Sequence, residues 1–112
     1  MKTIKITDAH QEFIEFLKGK KHSTATVLAY GKDIDQLSSF LQELEKEHIH
    51  DVAKDDIQAF LGKLSEKGYT PKSLSRKLNS TRTFYRFLKV NEYVTDDPSL
   101  LHIYNEHLAG LQ

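Results

Sequence analysis

The sequence predicts an all-α fold, a bundle of four helices. Apolar residues recur at spacings of 3 and 4 in four separate stretches, and helix-capping or helix-stopping residues divide those stretches. No segment alternates apolar and polar residues as a half-buried strand would. With 112 residues, the chain is expected to form one domain with a self-sufficient core.

The first helix is expected to start near Thr7 or Asp8, either a good N-cap, and to run to about Gly19. Phe13, Ile14, Phe16 and Leu17 form its apolar stripe, and Lys18, Lys20 and Lys21 crowd the end where the helix dipole favours cations. Ser23 caps the second, which continues to about Glu47 on Val27, Tyr30, Ile34, Leu37, Leu41 and Leu44. Gly31 weakens that helix by about 1 kcal/mol relative to alanine, which points to a bend or a close helix contact. The third spans about Lys54 to Lys67, with Ile57, Phe60, Leu61 and Leu64 inward and Asp55 and Asp56 in the first turn. Gly68 is placed to stop it. The fourth opens on Thr70 and Pro71 and runs to about Asn91. After Pro98, Leu100, Leu101, Tyr104, Leu108 and Leu111 suggest a short fifth helix, so residues 1–98 read as the domain and 99–112 as a linker or helix beyond it.

Composition narrows the function classes. There is no cysteine, which removes disulfides and thiolate metal sites, and the polar start carries no apolar leader. No apolar run reaches the roughly 18 residues of a membrane helix, so a cytoplasmic setting without a membrane partner is expected. Sixteen basic residues balance sixteen acidic ones, and a neutral chain is an unusual nucleic-acid binder. The distribution is uneven, however. Residues 22–50 are acidic overall, with Asp33, Asp35, Glu43, Glu45 and Glu47 outnumbering Lys32 and Lys46. Residues 69–95 set Lys72, Arg76, Lys77, Arg82, Arg86 and Lys89 against Glu92 alone. Screening acts over about 8 Å at physiological salt, so a ligand on the basic segment feels it more than the distant acids.

The fourth helix carries the most informative chemistry. Leu74, Leu78, Thr81, Tyr85 and Leu88 line one face, widened by Phe84 and Phe87. Lys72, Ser75, Arg76, Asn79, Arg82 and Arg86 recur on another, with Thr83 beside them. Such a helix fits the major groove of DNA, where Arg and Asn meet base edges bidentately and Lys, Ser and Thr reach phosphates. The same pattern also describes an ordinary solvated face. The near absence of acids between Pro71 and Asn91 favours the groove, because a solvated face normally mixes signs. Lys20, Lys21, His22, Ser23, Thr24 and Thr26 form a second cluster, which reads equally as a phosphate clamp or a soluble interhelix loop.

Residues 23–34, Ser-Thr-Ala-Thr-Val-Leu-Ala-Tyr-Gly-Lys-Asp-Ile, resemble the opening of the core-binding, SAM-like domain of tyrosine recombinases, the phage-integrase and Xer class. Residues 68–98 resemble the same family's later pattern in register. Gly68 is followed by Ser73, Arg76, Leu78, Arg82, Phe84, Tyr85, Phe87 and Leu88, then Asp97-Pro98, with Asn79 where the family usually has serine. The resemblance covers roughly residues 8–98. It implies four helices arranged as two crossed pairs that clamp duplex DNA at a recombination site during DNA integration or recombination. On the matching positions, it implies contacts from the Ser23–Thr26 turn and from Lys72, Ser73, Arg76, Asn79 and Arg82. With the residues read from periodicity, the expected DNA-binding set is Lys20, Lys21, Ser23, Thr24, Thr26, Lys72, Ser73, Ser75, Arg76, Asn79, Arg82 and Arg86. Tyr30 and Phe84 are expected in the core and Asp33 as a partner on the helix surface.

The family's strand-cleaving chemistry lies in a catalytic domain beyond the Asp-Pro element, so that domain is an expected partner and this stretch is expected to hold no catalytic residue. Tyr104 has His102 and His107 nearby, but no arginine follows Arg86 to neutralise a reacting phosphate. His48 and His50 are two apart, a spacing better suited to a strand than a helix, and no third ligand stands out. Neither a metal nor a cofactor is expected. The alternative function is a helical protein–protein interaction module that keeps the fold without DNA, using Glu43, Glu45, Glu47 and the apolar tail, through which self-association is also conceivable.

Overall fold

A computed structural model describes residues 2–99. Among the described residues there are four helices: α1 (Ile6–Gly19), α2 (Thr24–Glu43), α3 (Lys54–Glu66) and α4 (Pro71–Val90), with a 3-10 turn over Ile49–Asp51 between α2 and α3. Helix α1 packs on α2 and α3 on α4, while contact between α2 and α4 joins the two pairs. Among the described residues there is no strand, only an isolated antiparallel bridge between Lys5 and His48. The fifth helix expected after Pro98 lies outside the described residues.

The capping residues set the frame. Ser23 Oγ accepts the Thr26 N–H at 3.1 Å, and Thr70 Oγ1 accepts the Ser73 N–H at 3.1 Å with Pro71 at the first position of α4. Gly68 has φ 95°, the left-handed stop that leads out of α3. Asp56 Oδ2 accepts the Ala53 N–H at 2.8 Å and closes the start of α3. Gly31 provides a close approach: a Cβ there would lie 3.1 Å from Ile14 Cδ1, so its bare backbone lets α1 and α2 meet.

Two boundaries differ from expectation for one reason. Helix α1 begins at Ile6, ahead of Thr7, and its N-cap Lys5 supplies no side-chain bond. Helix α2 ends at Glu43, short of Glu47, and the chain reverses at Glu45 with φ 61°. Backbone pairing drives both. The Ile6 N–H donates to the Glu47 carbonyl at 2.9 Å and the Ile49 N–H to that of Ile4 at 3.0 Å. That pairing satisfies an N–H that a side-chain cap would otherwise have to meet. Leu44, expected inward, is left partly exposed.

The core gathers around Phe13, whose ring lies 5.2 Å from Phe84 and 5.6 Å from Phe87, edge-on or tilted. Tyr30, expected in the core, is half-buried at its rim, 6.2 Å from Phe13. The expected apolar face of α4, including Leu74, Leu78, Thr81, Tyr85 and Leu88, is entirely buried.

Tyr85 is fully buried, yet its hydroxyl finds no hydrogen-bond partner among the described residues. Burial, reinforced by the charges of Asp97 and then Asp56, pushes its ionisation far above the ordinary tyrosine range. A buried, unsatisfied hydroxyl costs about 1–3 kcal/mol. Tyr85→Phe is therefore expected to raise the thermal midpoint or leave it unchanged. A clear fall would show that the hydroxyl has a partner.

Candidate nucleic-acid interface

Helices α2 and α4 meet in opposite senses. Gln36 Nε2 donates to the Tyr69 hydroxyl at 3.0 Å, just ahead of α4, while Asp33, earlier in α2, contacts residues 76, 77 and 80 further along it. The start of α2 thus lies against the middle of α4. Between them is a shallow depression of about 350 Å³, lined by Thr26, Ala29, Tyr30, Asp33, Arg76, Asn79 and Ser80. Three of the residues expected to touch DNA come together there, Thr26 meeting Arg76 and Asn79 across some fifty positions of sequence.

Lys72, Arg76, Asn79 and Arg86 are exposed, with half-buried Thr83 between them, and form one stripe along α4. Ser73 and Ser75 are half-buried at its first turns. Lys20, Lys21, Ser23 and Thr24 are exposed at the α1–α2 corner, where Lys21 adopts φ 60°. Lys20 Nζ sits 5.5 Å from the Phe16 ring centre. The Ser23 and Thr26 hydroxyls also bond to each other at 2.8 Å, so Ser23 serves first as a cap. Arg82 faces another way. It is half-buried, and its Nε donates to the Ser99 carbonyl at 3.4 Å, toward the chain that follows Pro98.

The centre of the site is one that sequence reasoning misplaced. Asp33, expected on the helix surface, is buried with its residue only 4% exposed. Its Oδ1 accepts from Arg76 Nη2 at 3.0 Å and Lys77 Nζ at 2.9 Å, and its Oδ2 from the Ser80 hydroxyl at 2.6 Å. Lys77 is itself buried, its ammonium 5.4 Å from the Tyr69 ring centre. The acid apparently lacking from the basic segment is therefore supplied by another helix. Of the six cations counted there, Lys77 is consumed internally and Arg76 is shared: its side chain stays 62% exposed although one nitrogen is tied. A signal was available, because Asp33 falls three residues after Tyr30 and four before Leu37, within the inward stripe of α2.

The acidic end of α2 is also partly neutralised, Glu43 pairing with Lys63 at 3.0 Å and Glu47 with Lys5 at 3.7 Å. The His48 and His50 rings stack 5.4 Å apart on the 3-10 turn. Among the described residues, no group of three or more His, Asp or Glu side chains is arranged to hold a metal ion, and no helix is long and apolar enough to cross a membrane.

The described residues define the class: an all-α module with a cationic stripe beside an interhelical depression. Residues 10–92 match the family described as phage integrase, N-terminal SAM-like domain, and the chain belongs to that family. It is 36% identical over 93 residues to the tyrosine recombinase XerC of Oceanobacillus iheyensis, a match covering 81% of this chain and 30% of that protein. It is 32% identical over 96 residues to the tyrosine recombinase XerD of Staphylococcus saprophyticus, covering 86% and 32%. The chain thus spans about a third of the length of these relatives. The N-terminal domain of a phage integrase/site-specific recombinase from Haloarcula marismortui shares the fold with a TM-score of 0.83 at 10% identity, over 91% of this chain and 98% of that one. A lambda integrase dimer bound to a COC′ core site shares it at 0.76 and 13% identity, over 87% of this chain and 27% of that one.

The buried cluster makes a stability prediction. Asp33→Ala strands the Lys77 ammonium and is expected to cost about 3–5 kcal/mol. Lys77→Met leaves Asp33 with Arg76 and Ser80, and is expected to cost under about 2 kcal/mol. Urea unfolding of both variants checks the order, and Lys77→Met proving the more damaging would contradict the assignment.

Proposed function

We propose that this chain is the DNA-binding module of a tyrosine site-specific recombinase or integrase, clamping duplex DNA at a recombination site. The observation that carries the proposal is the exposed stripe of Lys72, Arg76, Asn79 and Arg86 beside the start of α2. One side of the molecule thereby offers base-reading and phosphate-binding groups together. The kinship with XerC and XerD, and a fold shared with an integrase bound to its core site, support the same reading.

In the proposed complex α4 lies along the major groove. Arg76 and Asn79 meet base edges, the contacts their planar donor and acceptor sets suit best. Lys72, Arg86, Ser73 and Ser75 reach flanking phosphates along α4. Lys20, Lys21, Ser23, Thr24 and Thr26 grip the backbone near the free N–H groups that open α2. Arg82 joins at the edge by leaving Ser99. Strand cleavage and rejoining belong, on this reading, to a catalytic domain of the parent recombinase. The rival reading, a protein-binding module built on the acidic end of α2, is weakened because Glu43 and Glu47 already have lysine partners.

Neutralising about five phosphates gives a slope near −4.5 in log K against log salt. A fluorescence anisotropy titration with 30-base-pair duplex at several salt concentrations is expected to show it. Arg76→Ala and Arg86→Ala are each expected to weaken binding about tenfold, roughly 1.4 kcal/mol, with helicity unchanged by circular dichroism. Salt-insensitive binding, or affinity untouched by both substitutions, would contradict the proposal.

A further inference from the structure

We propose that Asp33 is a positioning residue for base recognition. It holds the Arg76 guanidinium in a reading pose and thereby trades general affinity for DNA against discrimination between sequences. The inference rests on the DNA-binding reading above and assigns a role to a side chain that is itself buried.

The geometry separates anchor from reader. The Asp33 side chain is 3% exposed, whereas that of Arg76 is 62% exposed. One Arg76 nitrogen is bound to the carboxylate, and a guanidinium has five N–H donors, so a fork remains for a base edge. Lys77 and Ser80 grip the carboxylate from two further directions, so its position does not depend on Arg76. Among the described residues, Lys72 and Arg86 on the same stripe have no such tether. An untethered arginine loses rotamer freedom when it engages a base, whereas Arg76 is already restricted.

The same contact carries a cost. A carboxylate 3.0 Å from the guanidinium offsets part of the positive field that attracts phosphates, the interaction that dominates sequence-independent binding. Removing Asp33 should thus move two observables in opposite directions. A purely structural role would lower affinity for every duplex by the same factor, the folded fraction, and leave the ratio between duplexes unchanged.

The test uses duplexes enriched by the whole chain from a random-sequence 30-base-pair pool, and compares affinity for the enriched duplex with affinity for the starting pool. Asp33→Asn is expected to bind the starting pool about threefold more tightly, while the enriched-to-pool ratio falls at least fivefold. Because Asp33→Asn strands a buried lysine, Asp33→Asn/Lys77→Met is measured as well. It removes both buried charges at constant net charge, and should bind the starting pool within about twofold of the parent while losing the same discrimination. In an Arg76→Ala background the double change should reduce the ratio no further, since the residue it positions is gone. A folded double variant that discriminates as well as its parent, or one that lowers the ratio equally without Arg76, overturns this inference alone. A parent chain that binds duplex but enriches no sequence also overturns it. A parent that does not bind duplex DNA overturns the DNA-binding reading with it.

Discussion

The burial of helix α4 is the constraint on which the rest of the molecule depends. Nine of its twenty residues are buried, and it contacts each of the other three helices. Phe84 and Phe87 meet Phe13 of α1, while Lys77 and Ser80 meet Asp33 of α2. So broad a buried face leaves a narrow exposed strip of Lys72, Arg76, Asn79, Arg86 and Val90, with Thr83 partly covered and Lys89 exposed to one side of it near the end of the helix. The fold thus decides which cations remain available, a selection that counting charges along the sequence does not make.

The polar contact between α2 and α4 shows how this selection works. Burying a carboxylate and an ammonium is expensive unless both are paired and their hydrogen-bonding capacity is largely met. Asp33 meets that condition with three donors on a single helix, two cations and a hydroxyl. A hydrophobic pair of similar size would pack there at less desolvation cost, but it would offer Arg76 no anchor. The polar solution fixes the register of α4 against α2 and places a guanidinium at the lip of the depression that also holds Thr26 and Asn79.

Much of this was legible in the sequence, because local rules were decisive. Ser23, Gly68 and the Thr70–Pro71 pair each perform the capping or stopping role their chemistry suggests. The inward positions Leu74, Leu78, Thr81, Tyr85 and Leu88 of α4 follow from helical spacing alone. The start of α1 and the end of α2 were not legible, since both are set by backbone pairing between residues some forty positions apart. Within the site, Arg76, Asn79 and Arg86 lie on the exposed stripe as periodicity predicts. Arg82 is drawn toward Ser99, a contact with no periodic signal. Asp33 and Lys77 were hidden for a different reason: polarity argued for the surface, and only the pairing of two helices makes their burial tolerable.

The account stands on the outward side of α4 being the surface that meets DNA. Backbone and arginine side-chain NMR shifts, followed as a mixed-sequence 30-base-pair duplex is titrated into the labelled chain, test it most directly. The account predicts perturbations at Lys72, Arg76, Asn79 and Arg86 together with Thr24 and Thr26 at the start of α2. Perturbations confined to the Glu43–Glu47 end of α2, or spectra unchanged by the duplex, would contradict it.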